Sequence, residues 1–213
     1  MSRGPSRREL FRGPAGRIEC AIDTPEGAVR GLALVAHPHP LYGGTLDNKV
    51  VQTLAHSLAG LGYVALRPNF RGVGASEGAF AGGRGECEDL LATLEYARQE
   101  FGASHPVSAP VLAGFSFGAA IQTQVAQRLA ETSAPPGRML LVGVAVKHFE
   151  TRPVARDSIV IHGEKDDTVL LADVLDWARP QDLPITVVPG ADHFFHRRLH
   201  IVRSIVAANW RTQ

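Results

Sequence analysis

Gly114-Phe115-Ser116-Phe117-Gly118 sets a serine between two glycines, directly after the apolar run Val111 to Ala113 and directly before the helical run that begins Ala119-Ala120-Ile121. A serine in a sharp strand-to-helix turn takes a strained backbone, and glycines flank it because a Cβ there would collide with the neighbouring strand or helix. The turn lifts the Ser116 hydroxyl out of the end of the sheet, beside free N–H groups at a helix N-terminus that can stabilise developing negative charge. The chemistry this suits is nucleophilic attack on an acyl carbon. The plain structural alternative is a serine that only caps a helix.

A serine hydroxyl needs an imidazole to take its proton and a carboxylate to hold that imidazole in the correct tautomer. On a strand–serine–helix elbow the chain order is nucleophile, acid, base. Three histidines close the chain, His193, His196 and His200. His193 falls on the loop after the strand candidate Ile185 to Val188, whereas His196 and His200 share one face of a closing helix and read as solvated or partly packed. The acid comes from His-Gly-Glu-Lys-Asp-Asp-Thr-Val, 162 to 169, which carries three carboxylates. Glu164 reads as loop bonding and Asp167 as a cap for a helix starting near Val169. Spacing does not choose between Asp166 and Asp167.

An oxyanion hole requires two aimed N–H groups. Phe117, the residue after the nucleophile, is one. The second belongs to the loop after Ala36, where Pro38 and Pro40 have no N–H, so His39 is the first candidate and Leu41 and Tyr42 stand behind it. The rival reading of His39 is a role through its imidazole or in packing. His37 and His39 lack a carboxylate or cysteine at ligand spacing, so no metal site is expected, and nothing in the sequence implies another cofactor.

These residues must be positioned by something rigid. From Leu32 onward, short apolar runs alternate with segments of helical period, which predicts a mostly parallel sheet with helices on both faces. Strands are expected at Leu32 to Ala36, Tyr63 to Leu66, Val111 to Ala113, Met139 to Val146, Ser158 to Ile161 and Ile185 to Val188, each a near-continuous apolar run as burial on both faces demands. Arg17 to Asp23 reads as an antiparallel edge strand. Helical faces run through Val50, Leu54, Leu58 and Leu61, through Leu90, Leu94, Ala97 and Phe101, through Ile121, Val125 and Leu129, and through Leu199, Val202, Val206 and Trp210. Residues 17–213 are expected to form a single domain, preceded by a flexible basic tail, 1–16.

Four segments together resemble a known family: HPHPLYGGTLDN from His37 to Asn48, RPNFRGVGASEG from Arg67 to Gly78, GFSFG from Gly114 to Gly118, and HGEKDDTV with the later GADHFF from Gly190 to Phe195. The chain is similar over nearly its whole length to small, capless serine hydrolases of the α/β-hydrolase fold, in the neighbourhood of the dienelactone-hydrolase-like and serine-aminopeptidase-like groups. The resemblance implies that Asp166, four positions after the histidine of HGExD, is the acid and that His193 is the base. It departs at one point, since dienelactone hydrolases use a cysteine and this chain has Ser116. The implied activity is hydrolysis of a carboxylic ester or related acyl bond of a small molecule through an acyl-enzyme, with a peptidase, a thioesterase or a non-catalytic binding protein as alternatives.

Only residues 147–157 separate two strand candidates where a lid would be inserted, so an open site is expected, walled by Leu41, Tyr42, Phe115 and Phe117, with His148 and Phe149 nearby. RGVGASEG does not fit a dinucleotide loop; the resemblance implies that it shapes the floor near the nucleophile. Lys plus Arg number 22 against 21 for Asp plus Glu, a balance that argues against a nucleic-acid partner. No run reaches the ~18 apolar residues of a membrane span. Cys20 and Cys87 lack CxxC spacing and read as reduced thiols of a cytoplasmic protein.

Overall fold

The computed structural model describes residues 6–102, 109–132 and 135–210. Within them the apolar runs become one sheet of order β1-β2-β4-β3-β5-β6-β7-β8, formed by Ser6–Gly13, Gly16–Asp23, Gly31–Ala36, Tyr63–Pro68, Val111–Phe115, Arg138–Val142, Ile159–Gly163 and Ile185–Val188 numbered in chain order. Strands β3 to β8 run parallel, and β1 and β2 are antiparallel to their neighbours.

Alternation along the strands sorts side chains between two cores. In β3, Leu32, Leu34 and Ala36 face a core shared with helices α2 (Arg84–Phe101) and α3 (Phe117–Glu131), whereas Ala33 and Val35 face one shared with α1 (Lys49–Gly60) and α5 (Leu199–Asn209). A shorter helix, α4 (Leu171–Ala178), joins β7 to β8 and packs Val174 into the first core. Val202 and Val206 are buried on the inner face of α5, as the helical period predicts, and Trp210, which caps the helix, is buried just beyond it. No cap is inserted: the chain passes from β6 to β7 through residues 143–158 without a helix.

Three expectations are corrected. The basic segment is not a flexible tail over residues 6–13, because it pairs along its whole length with β2 as strand β1. Beyond the local Arg7–Glu9 pair, its side chains find partners from other parts of the chain: Arg8 reaches Glu19 and Asp47, Arg7 reaches Glu100, and Phe11 stacks on Tyr96 with ring centroids 4.1 Å apart. Strand β6 stops at Val142 rather than Val146, because Gly143 turns the chain at a φ of 54°. His196 lies ahead of α5, not on it, and its Nδ1 is 2.6 Å from Asp192 Oδ2.

Loops at the carboxyl ends of the strands interlock. His37, buried after β3, accepts the Phe70 amide at Nε2 (3.0 Å) and approaches the Pro38 carbonyl through Nδ1 (2.6 Å); burial pushes its pKa down to about 4. Asn69 Oδ1 accepts the Leu46 amide, and Arg67 donates to the Leu46 carbonyl. Residues 67–70 are thereby clamped to the segment after β3, while the RGVGASEG loop that follows is tied to β2, Ser76 Oγ accepting the Glu19 amide and Glu77 that of Arg17.

Candidate active site

Ser116 sits between β5 and α3 with φ 55° and ψ −118°. A left-handed conformation at a residue with a Cβ costs on the order of 1–3 kcal/mol and persists only where its surroundings enforce it. They do so here on both sides. A Cβ on Gly114 would come within 2.6 Å of the Ala119 nitrogen, and one on Gly118 within 2.5 Å of the Ala36 and His37 carbonyl oxygens. The Ser116 amide donates to the Val142 carbonyl (2.9 Å), which extends the β5–β6 pairing into the turn. Although Ser116 stands at the N-cap position of α3, its side chain makes no capping hydrogen bond. The capping alternative therefore fails, and Oγ lies 3.1 Å from His193 Nε2.

The loops after β7 and β8 are joined before they reach the serine. The Lys165 amide donates to the Ala191 carbonyl, the Glu164 amide to the Val188 carbonyl, and Glu164 Oε2 accepts the Gly190 amide (2.7 Å). Glu164 thus does the loop bonding expected of it. His193 Nδ1 lies 2.7 Å from Asp166 Oδ2, while Asp166 Oδ1 accepts the amides of Thr168 (3.0 Å) and Val169 (2.7 Å). Every one of these neighbours is a donor when His193 carries its proton on Nδ1, so the carboxylate fixes that tautomer and leaves Nε2 free to accept from Ser116. All three side chains are buried. Asp167 is exposed and does not cap a helix: α4 begins only at Leu171, and Asp167 has just a 3.4 Å contact from the Thr168 hydroxyl.

His162 was not singled out by the sequence as a member of this group. Its Nε2 lies 2.9 Å from the Val169 carbonyl and 3.6 Å from Asp166 Oδ2, and burial pushes its pKa down. The signal was there in the i, i+4 spacing of His162 and Asp166. A neutral His162 with its proton on Nε2 ties the end of β7 to the far side of the acid loop.

Phe117 opens α3, where its N–H has no partner within the helix. His39 leads into a 3₁₀ turn, Pro40–Tyr42, with a φ of −54°. The alternative donors are committed: the Leu41 amide donates to His39 Nδ1 (3.2 Å) and the Tyr42 amide to the His39 carbonyl (3.1 Å). The rival packing role of His39 is seen directly: its half-buried ring packs against Tyr42, Phe80, Phe117 and Phe149, with centroids 4.8 to 5.2 Å away.

The expected wall residues separate. Leu41 and Tyr42 are exposed on the rim, at 67% and 86%. Phe115 is fully buried and is no wall: it is the last residue of β5, and its ring packs beneath the His193 imidazole with centroids 4.8 Å apart. Its place on the rim is taken by Phe194, 45% exposed and edge-on to His193 at 5.1 Å. Among the described residues, no cluster of three His, Cys, Asp or Glu side chains could hold a metal ion. Neither cysteine is bonded, and among the described residues no helix is long and apolar enough to cross a membrane.

With this geometry in hand, likeness to known proteins is informative. Residues 17–135 match the model of the X-Pro dipeptidyl-peptidase family, S15. The chain belongs to the S15 family. The matched span contains the elbow at Ser116 and ends before Asp166 and His193. The fold and length are those of small serine hydrolases. An α/β serine hydrolase without lid from Xanthomonas campestris is 33% identical, with 96% of this chain and 93% of that one covered at a TM-score of 0.85. An α/β serine hydrolase homologue from Coxiella burnetii is 35% identical, with 96% and 97% covered at 0.82. An uncharacterized protein of Rickettsia prowazekii is 35% identical over 199 residues, 87% of this chain and 80% of its own. This S15-family chain is thus a capless α/β-hydrolase-fold serine hydrolase.

Proposed function

We propose that the protein is a serine esterase for small carboxylic esters, with Ser116 as nucleophile, His193 as general base and Asp166 as the acid that orients it. The observation that carries this reading is the chain of contacts from Ser116 Oγ through His193 to Asp166, at 3.1 and 2.7 Å, on a strained elbow. As Oγ attacks the carbonyl carbon, its proton passes to His193 Nε2, and the imidazolium is held by the Asp166 carboxylate. The carbonyl oxygen becomes negative and is met by the N–H groups of Phe117 and His39. Collapse expels the alcohol, which takes the proton from His193, and water then repeats the sequence on the acyl-enzyme.

Short acyl chains fit the absence of a cap. Leu41, Tyr42 and Phe194 offer an open apolar rim, where a methylene left in water contributes far less than the ~0.8 kcal/mol of full burial. The family match favours a second reading, cleavage of Xaa-Pro peptides. A dipeptidyl-peptidase must hold a substrate ammonium, yet on the surrounding loops Glu86 accepts the amides of Ala81 and Gly83, Glu164 that of Gly190, and Asp192 bonds His196. The two unbridged, buried thiols suit a reducing, cytoplasmic setting.

The deciding experiment is a panel of 4-nitrophenyl esters from acetate to palmitate, matching acyl thioesters and Ala-Pro-4-nitroanilide, together with fluorophosphonate labelling. Esters with short acyl groups should be turned over fastest, and Ser116→Ala should abolish both turnover and labelling. Preferred cleavage of the Ala-Pro amide would install the peptidase reading, and an active Ser116→Ala enzyme would sink the mechanism.

A further inference from the structure

A groove of about 370 Å³ runs between the amino end of α2, the middle of α3 and the segment after β6. Its charged lining is Arg84, Arg128, Arg152, His148 and Glu150, and Phe149 forms one wall. Three arginines and one carboxylate thus line it, in a chain whose whole net charge is only +1. Glu150 pairs with Arg152 at 2.5 Å. Arg128 is only loosely engaged, 3.9 Å from Glu131 across an exposed helical turn. Arg84 is exposed, and among the described residues no carboxylate lies within 4.0 Å of it. Arg152 Nε is buried and donates to no group in the protein. Glu86, in the first turn of α2, does not answer these cations, because both its oxygens accept amides of its own loop.

Solvated arginines ordinarily spread over a convex face, but these three line one concavity, and its Phe149 wall reaches toward the serine. Phe149 is the shared wall: its ring lies 4.7 Å from that of Phe117, the residue after the nucleophile, and 5.2 Å from that of His39. Guanidiniums present paired donors that match the oxygens of a carboxylate or a phosphate. We propose that the groove is a subsite for an anionic group, carboxylate or phosphate, at the far end of the substrate whose acyl carbon meets Ser116. The proposal rests on the ester reading and narrows it to esters with a remote negative charge.

The test compares three 4-nitrophenyl esters of equal acyl length, ending in methyl, carboxylate or phosphate. Native enzyme should favour at least one anionic ester by on the order of tenfold in kcat/KM, carried by KM, as two or three partly exposed ion pairs would give. The two anionic arms show which group is taken. In Arg84→Gln/Arg128→Gln protein the charged-to-neutral ratio should fall to about one, and raising salt from about 50 to about 500 mM should do the same in the native enzyme. Calorimetric titration of Ser116→Ala protein with glutarate and with phenyl phosphate reads the groove without turnover. If no ester is hydrolysed but these anions bind and the arginine variants lose them, the ester reading fails and the anion site stands. If esters turn over with a ratio of one, or the ratio survives the double substitution, the anion site is refuted and the ester reading stands.

Discussion

Asp166→Asn isolates the one atom-level choice on which the proposed triad depends. The aspartate accepts four approaches and donates none: Thr168 and Val169 amides at Oδ1, His193 Nδ1 at Oδ2 and, more distantly, His162 Nε2. Asparagine keeps one acceptor oxygen. If that oxygen stays with the two backbone amides, its NH₂ faces His193 Nδ1, and the imidazole must move its proton to Nε2. Nε2 then points a hydrogen at Ser116 Oγ and accepts nothing. If the amide flips, its NH₂ opposes two N–H groups within 3.0 Å and the loop itself must move. The first arrangement is the less costly, so the fold should survive, with a thermal midpoint within a few degrees of the native one. The rate should fall by about 10⁴, or ~5.5 kcal/mol in the barrier. Asp167→Asn, at an exposed side chain, should change stability by under ~0.5 kcal/mol and turnover hardly at all. Initial rates on a short 4-nitrophenyl ester, with far-UV circular dichroism as the fold control, measure both. An Asp166→Asn enzyme keeping a tenth of its rate, or an Asp167→Asn enzyme losing a hundredfold, would refute the tautomer argument.

The backbone role proposed for His39 can be separated from its side chain, because its φ of −54° is one that proline adopts. His39→Pro should cost roughly 10²-fold in kcat while His39→Ala, which keeps the N–H, should lose less than about tenfold; equal losses would place the effect in the imidazole. Gly118→Ala drives a methyl into two backbone carbonyls that cannot move aside, so stability should fall by about 3 kcal/mol and the melting temperature by about 5–10 °C; an unchanged melting curve would contradict the close approach. Burial holds the His37 pKa at about 4 against an unfolded value of 6.5. Between those values only the unfolded chain binds the proton, so stability should drop as pH falls, by about 2.5 kcal/mol from pH 7 to pH 4.5. His162, also pushed down by burial, adds to the same slope. Urea titrations of native and His37→Gln protein at the two pH values check this, and an unaltered slope in the variant would exclude His37 as its source.

Local chemistry made part of this protein readable without coordinates. The elbow could be read because its requirements, glycines on both sides of a serine between a strand and a helix, lie within a few residues of one another. Helical faces such as Leu90, Leu94 and Ala97 could be read because period and burial are properties of single elements. What the sequence left open was settled by groups distant along the chain. Strand β1 looked like a solvated basic tail because the partners of Arg7 and Arg8, Glu100 and Asp47, lie 93 and 39 residues away. Phe115 and Phe117 flank one serine and look equivalent on paper. The strand carries Phe115 to the α1–α5 core beneath His193, and the turn at Ser116 throws Phe117 to the opposite core, beside His39 and Phe149. The choice between Asp166 and Asp167 likewise belongs to tertiary structure. Two adjacent residues in a loop of turns and bends point in different directions, and only the seating of the β8 loop against the β7 loop decides which carboxylate finds the imidazole. Side-chain identity and period are written locally, whereas the direction in which a loop side chain points is fixed by whatever packs against that loop.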